Sequence, residues 1–355
     1  MKSMKTSVIN ALISACLFGI SAPLAKAFLA EIEPVMMASF LYLGSGLGLA
    51  VVMLVQGVVS EKSHMEARLN QHDVPWLLGA TLSGGIAAPI ALMVGLKHTP
   101  AATASLLLNF EGTATVLLAA IVFREAMSPR IWTAVVLVTL ASILLSLETK
   151  GEFGFSPGAV GVVCACALWG IDNNLTRHIS SKDPVTIVMV KGIIAGVFSL
   201  IVALVVRGDS MPALTLVGLS LLTGFVCYGL SIVFFIRAMR ALGSARTSAY
   251  FASAPFIGAA VSFVIFRESP NMFFTISVPF MVLGVILLFN EKHSHLHIHL
   301  EEEHEHIHDH DDGHHNHFHT GTEDNGRHSH FHKHEHIIHE HKHMPDTHHR
   351  HRHEE

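Results

Sequence analysis

Ten apolar runs of roughly twenty residues recur along this chain, separated by short polar or Pro/Gly-marked turns, and a run of that length crosses the hydrocarbon of a bilayer as one helix. They lie at 7–29, 34–57, 74–96, 101–122, 130–147, 157–176, 184–206, 212–236, 244–265 and 271–290. Inside a bilayer the main chain finds no water, so such runs must satisfy their own N–H and C=O groups, as helices do. Half of the residues are apolar, 14% are charged and the mean hydropathy is +0.47, too apolar for the surface of a soluble globular protein. The expected fold class is all-α and integral to the membrane, with ten transmembrane helices.

The runs are also duplicated. A displacement of 143 residues, without a gap, lays Phe123, Arg124 and Glu125 on Phe266, Arg267 and Glu268, and Ile143, Leu144 and Leu145 on Ile286, Leu287 and Leu288. At the front of each half, Leu17, Gly19 and Ile20 match Leu168, Gly170 and Ile171 at a displacement of 151, and Pro34 matches Pro184 after one gap. Residues 1–150 and 151–290 thus read as two five-helix repeats, and residues 291–355 as a tail. Five is odd, so the second repeat enters the membrane in the opposite orientation, the inverted arrangement found in secondary transporters. Glu111 breaks the match, because Ala254 stands in its place, with Pro255 where the first copy has Gly112.

Charge orients the chain. With the N-terminus inside, twelve basic residues flank the inner ends of the spans and four (Lys97, Lys150, Arg207 and Arg267) the outer ends, which places both termini in the cytoplasm of a bacterial-type cell, the protein spanning its inner (plasma) membrane. The N-terminal run is long and lacks a clear cleavage site, so it reads as a retained span. Cys16, Cys164, Cys166 and Cys227 all fall in apolar runs and read as reduced packing residues.

The stretch LFGISAPLAK in the first span, Pro34 opening the second, and two small-residue helices ending in FRE resemble the EamA family of the drug/metabolite transporter superfamily, over about 280 residues. The resemblance implies a ten-helix transporter with a central cavity between its halves, working by alternating access without ATP hydrolysis, on amino acids, nucleobases, drugs or other small metabolites. Two features depart from the family pattern: LNFEGTA lacks the frequent proline after its glutamate, and the frequent arginine of the second span is absent near Leu41 and Tyr42.

Several residues are candidates for substrate contact. Glu111, two positions after Asn109, sits at mid-membrane depth, where an acid is costly unless it is paired or faces water. It either binds a cationic group or a proton, or serves as a structural acid against a base such as Lys191. Lys26, Asp172 and Lys191 lie within or near span ends, where snorkelling to the headgroups competes with substrate contact. Trp169, Asp172, Asn173 and Asn174 make a polar, aromatic segment suited to a small-molecule cavity, Trp169 being equally suited to interfacial anchoring. Tyr250 faces the same cavity or simply packs. Glu125 and Glu268 are expected to pin loops through backbone amides or their own arginines, and Gly44, Gly46, Gly48, Gly84 and Gly85 to permit close helix approach.

The tail holds 24 of the 28 histidines, mostly in HxH steps, and repeats itself. His293, His295, His297 and His299 recur 35 residues later as His328, His330, His332 and His334, and His304, His306 and His308 recur as His339, His341 and His343. Too few apolar residues are present to fold it alone, so it is expected to be disordered. These histidines, with His310, are expected to bind Zn, Ni, Co or Cu ions reversibly, while the body requires no cofactor.

Three functions remain open: a secondary transporter, read as an exporter, of a small metabolite or drug-like solute; a transporter of a transition metal ion or its complex, with the tail as collector; and a metal-responsive membrane sensor. An enzyme is not expected, since the body carries no nucleophile, phosphate loop or catalytic metal constellation. The expected partners are the lipid bilayer, a small-molecule substrate and divalent metal ions, with no nucleic acid; a homodimer is left open.

Overall fold

The computed structural model describes residues 2–59, 69–122, 128–148, 154–179, 182–242, 247, 250–289, 293–299, 303–308, 328–333 and 337–343. Among them, eight helices are long and apolar enough to cross a membrane: α1 (Lys5–Phe28), α2 (Pro34–Val55), α3 (Gln71–Lys97), α4 (Ala101–Val122), α5 (Pro129–Ser146), α6 (Pro157–Ile179), α7 (Val185–Val206) and α8 (Leu214–Ala238). Two shorter apolar helices follow, α9 (Ala254–Phe266) and α10 (Met272–Leu287), completing the ten expected. Ser128, Ser156 and Asp183 cap the starts of α5, α6 and α7 through the amides of Ile131, Ala159 and Val185, each just ahead of a proline that helix entry tolerates.

The two repeats are interleaved by a twofold pattern of packing. Helices α2, α4 and α5 lie against their own counterparts α7, α9 and α10, while α1 packs on α8 and α3 on α6. Moving five helices along the chain returns each of these pairings to itself or exchanges the last two, which is the arrangement an inverted repeat requires. At the α2–α7 crossing the backbones touch. A Cβ on Gly46 would come within 2.7 Å of Ile193 N, and one on Gly192 within 2.9 Å of Gly46 N, so this contact admits no side chain. Large apolar side chains such as Val205 and Leu214 are 76% and 85% exposed on the outside of the bundle, where lipid takes the place of water.

Several helices are irregular, and the irregularities repeat. Helix α4 is not the continuous run expected over 101–122: it breaks at Leu108–Asn109, where the Asn109 side chain donates to Leu106 O at 3.1 Å and competes with the helical ladder. The counterpart span breaks at Ala252–Ser253: Tyr250 and Phe251 ahead of the break are helical, and α9 follows it from Ala254. Residues Thr81–Ala87 of α3 form a wide π-helical stretch, and Gly224–Leu230 of α8 form another, at the same 143-residue displacement. Such stretches interrupt the i→i−4 ladder and often mark functional positions.

Outside the bundle, β1 (Leu147–Glu148) pairs with β2 (Gly154–Phe155) between α5 and α6. In the tail, expected to lack fold, the described residues form β3 (His293–His299), β4 (Glu303–His308), β5 (His328–Lys333) and β6 (Ile337–His343), with β3 antiparallel to β6 and β4 to β5. Alternating HxH steps match the two-residue period of a strand, and two-stranded pairs without a core are marginal by themselves. His310, His334 and Glu125 lie outside the described residues.

Candidate functional site

Glu111 sits in the first turn of the second segment of α4, just past the break, ten residues into the span and so about 15 Å along it. Its Oε1 accepts a hydrogen bond from Asn173 Nδ2 of α6 at 3.0 Å, and the same amide reaches Thr115 Oγ1 at 3.1 Å. Asn174, on the next position of α6, donates to Thr115 O at 3.0 Å and to Gly170 O at 2.8 Å. Two consecutive amides thus clamp α4 to α6. Asn173 is exposed and Glu111 half-buried. The pair joins one repeat to the other, and contact of its exposed polar groups with lipid at this depth would cost several kcal/mol.

Immediately before Asn173 on α6, Asp172 is ion-paired with Lys191 of α7, the two side chains 8% and 15% exposed. Asp172 also accepts from Thr176 Oγ1 at 3.0 Å. At this burial both groups have lost most of their water, and each is the other's compensating partner. The sequence left Lys191 among snorkelling, substrate contact and pairing with Glu111; the structure pairs it with Asp172.

The π-helical turn of α3 brings in the aromatic side. Gly84 O accepts both Tyr42 Oη of α2, at 2.6 Å, and Trp169 Nε1 of α6, at 3.1 Å, which uses both lone pairs of one carbonyl. Trp169 is therefore a buried, hydrogen-bonded wall rather than an interfacial anchor. The Tyr42 ring lies 6.0 Å from that of Tyr228 in α8, and Tyr228 lies 5.8 Å from Phe18 in α1, so an aromatic row runs from one repeat into the other. The position requires glycine because a Cβ there would overlap the Asp172 carboxylate.

The structure thus gathers Glu111, Trp169, Asp172, Asn173 and Lys191 and holds the other candidates elsewhere. Lys26 Nζ donates to Leu96 O at 2.6 Å and to Lys97 O at 3.0 Å, closing the C-terminal end of α3. Asn109 serves the break in α4, and the Tyr250 carbonyl accepts from Ser253 Oγ at 2.7 Å at the break before α9. Glu268 binds backbone amides, accepting from Ala101 N at 2.9 Å and Ala102 N at 3.0 Å at the start of α4. Arg267 before it has φ 51°, the left-handed turn that ends α9. Sequence reasoning passed over Tyr42, Gly84, Thr115 and Tyr228 as site residues. A usable signal existed for two of them, since the chain has three tyrosines and two of them meet here.

The site is asymmetric although the scaffold is not. By the displacements that relate the repeats, Glu111 corresponds to Ala254, Trp169 to Phe18, Asp172 to Ser21 and Asn173 to Ala22, so the charged partners exist once. Among the described side chains, no group of three or more His, Cys, Asp or Glu residues is placed to hold a metal ion.

The model of the EamA-like transporter family matches the chain twice, over residues 5–147 and 156–290. A protein of Methanothermobacter thermautotrophicus described as an uncharacterized transporter is 29% identical over 285 residues, covering 77% of this chain and 82% of its own length. A solved crystal structure aligns with a TM-score of 0.58 at 17% identity, over 78% of this chain and 94% of the other, a likeness of fold.

Proposed function

Because the chain belongs to the EamA-like transporter family, a multi-pass membrane family acting on small molecules, we propose that it exports a small organic solute carrying a cationic group by alternating access. Glu111 is the cation-contacting residue of this reading. The observation that carries it is the distribution of charge in the cluster: Asp172 is neutralised by Lys191, whereas the described side-chain partner of Glu111 is the neutral amide of Asn173. With Glu111 ionised, the cluster holds one net negative charge at mid-membrane depth, which a solute cation or a proton would neutralise. Trp169, Tyr42 and Tyr228 supply the apolar and aromatic walls a small molecule needs, and ring faces suit an ammonium group. Exchange of a proton for the solute cation at Glu111 would couple the two movements as the repeats rock.

The excess of basic residues on one side supports cytoplasmic termini in an inner or plasma membrane. A transition metal as cargo would want several ligands at depth, and the described side chains of the body gather no such group.

The test is ligand-dependent thermal stabilisation of purified protein against a panel of amines, amino acids and nucleobases, followed by counterflow in proteoliposomes with each stabilising compound. Cationic compounds should stabilise intact protein and fail on Glu111→Gln. Stabilisation by neutral or anionic compounds that is indifferent to Glu111→Gln overturns the reading.

A further inference from the structure

The transport cluster leaves the tail unused, and the strand register there carries information of its own. In the β3–β6 pair, His293 stands opposite His343, His295 opposite His341 and His297 opposite His339. In the β4–β5 pair, His304 stands opposite His332, His306 opposite His330 and His308 opposite His328. Of the histidines in these four strands, His299 alone meets another residue type, Ile337.

This register is demanding. Both ladders belong to one alignment, in which each residue number rises on one arm as its partner's falls on the other, with no slip between the ladders. Yet the histidines occupy odd positions in β3 and even ones in β4. Opposition survives only because the other arm makes the same change, from even in β5 to odd in β6. The 35-residue duplication explains this, since an odd displacement turns the odd histidines of the first copy into even ones of the second. Each ladder accordingly pairs the front of one copy with the middle of the other: β3 with β6, and β4 with β5.

Alternate residues of a strand share a face, so each ladder has a face of histidine positions and a second face mixing apolar and charged positions. Glu303 stands opposite Lys333 on the second face, and Ile298 opposite Ile338. That is too little to hold two strands together in water. Residues directly opposite have Cβ atoms about 5 Å apart, a span that two imidazoles bridge through one ion at about 2 Å from each nitrogen.

We propose that the tail is a hairpin closed by metal, in which divalent first-row transition ions of the Zn2+, Ni2+, Co2+ and Cu2+ group are held between the histidine positions of β3 and β6 and between those of β4 and β5. Two adjacent cross-strand pairs supply four nitrogens, a tetrahedral set, so each ladder takes about one ion tightly. Binding and pairing are then one event: removing histidines from one strand releases its partner.

The experiment is hydrogen exchange on the full chain in detergent with Zn2+ alone as the probe. Zn2+ should slow amide exchange by about tenfold or more in 293–299, 303–308, 328–333 and 337–343, at about two tight ions per chain. In the triple variant His339→Asn, His341→Asn, His343→Asn, protection should vanish from 293–299 as well, while 303–308 stays protected. The variant His314→Asn, His315→Asn, His317→Asn removes as many histidines from between the arms and should leave all four stretches protected. Protection of 293–299 that outlives the first variant, equal losses from the two variants, or no protection by Zn2+ overturns the proposal.

Discussion

Asn173 Nδ2 lies 3.0 Å from Glu111 Oε1, so the acid in the middle of α4 is held by an amide of the other repeat and not by a base. Among the described side chains no base is hydrogen-bonded to that carboxyl group. Replacing Glu111 with Gln keeps the size of the side chain and removes the charge. Affinity for a cationic solute should fall about tenfold or more, as expected for losing a hydrogen bond to a charged group, while the melting temperature stays within about 2 °C of the intact protein. Parallel binding and melting curves check this.

The Asp172–Lys191 pair predicts a different pattern. Asp172→Asn or Lys191→Met alone leaves one desolvated charge without its partner and should destabilise by about 3–5 kcal/mol. The double variant should recover much of that loss. A double-mutant cycle of denaturation in detergent measures the coupling, and additive losses would mean the two charges act independently.

Gly84 should tolerate nothing larger. A Cβ there meets the Asp172 carboxylate, so Gly84→Ala should displace the ion pair and lower stability by about 1–3 kcal/mol. Gly218, in α8, has nothing within 4 Å of the same added atom, and Gly218→Ala should be neutral or slightly stabilising. Comparing the two melting temperatures separates the local clash from any general effect of glycine replacement.

Glu268 caps α4 from across the repeat boundary, through Ala101 N and Ala102 N. Glu268→Ala should cost about 1–2 kcal/mol by exposing those amides at the positive end of the helix. Faster hydrogen exchange confined to the first turn of α4 is the expected reading, and unchanged exchange there would deny the cap its role.

Much of the fold was legible because its signals are local. Run length and apolarity locate the spans, and repetition at 143 residues divides the body into halves without any knowledge of contacts. The match was also informative where it failed: Glu111 against Ala254 pointed at the one unduplicated charge of α4, and α4 breaks just before it. The breaks themselves were hidden, because Leu108 and Asn109 sit in a run whose composition favours an unbroken helix. The π-helical stretches were hidden for the same reason, since Thr81–Ala87 and Gly224–Leu230 differ from α-helix in their hydrogen bonds and not in their hydropathy.

By itself, the sequence determined the class of protein, the number of membrane crossings, the duplication and the histidine tail, all of which follow from composition and period. The tertiary structure decided the pairings. Lys191 had two acids within plausible reach and took Asp172; Lys26, charged and near a span end, closed a helix; Gly84, a packing residue by type, became the acceptor for Tyr42 and Trp169. Partners such as Glu268 and Ala101, or Trp169 and Gly84, are brought together by how ten helices pack about a twofold axis, and short-range order along a chain carries no record of which distant helix face will lie opposite.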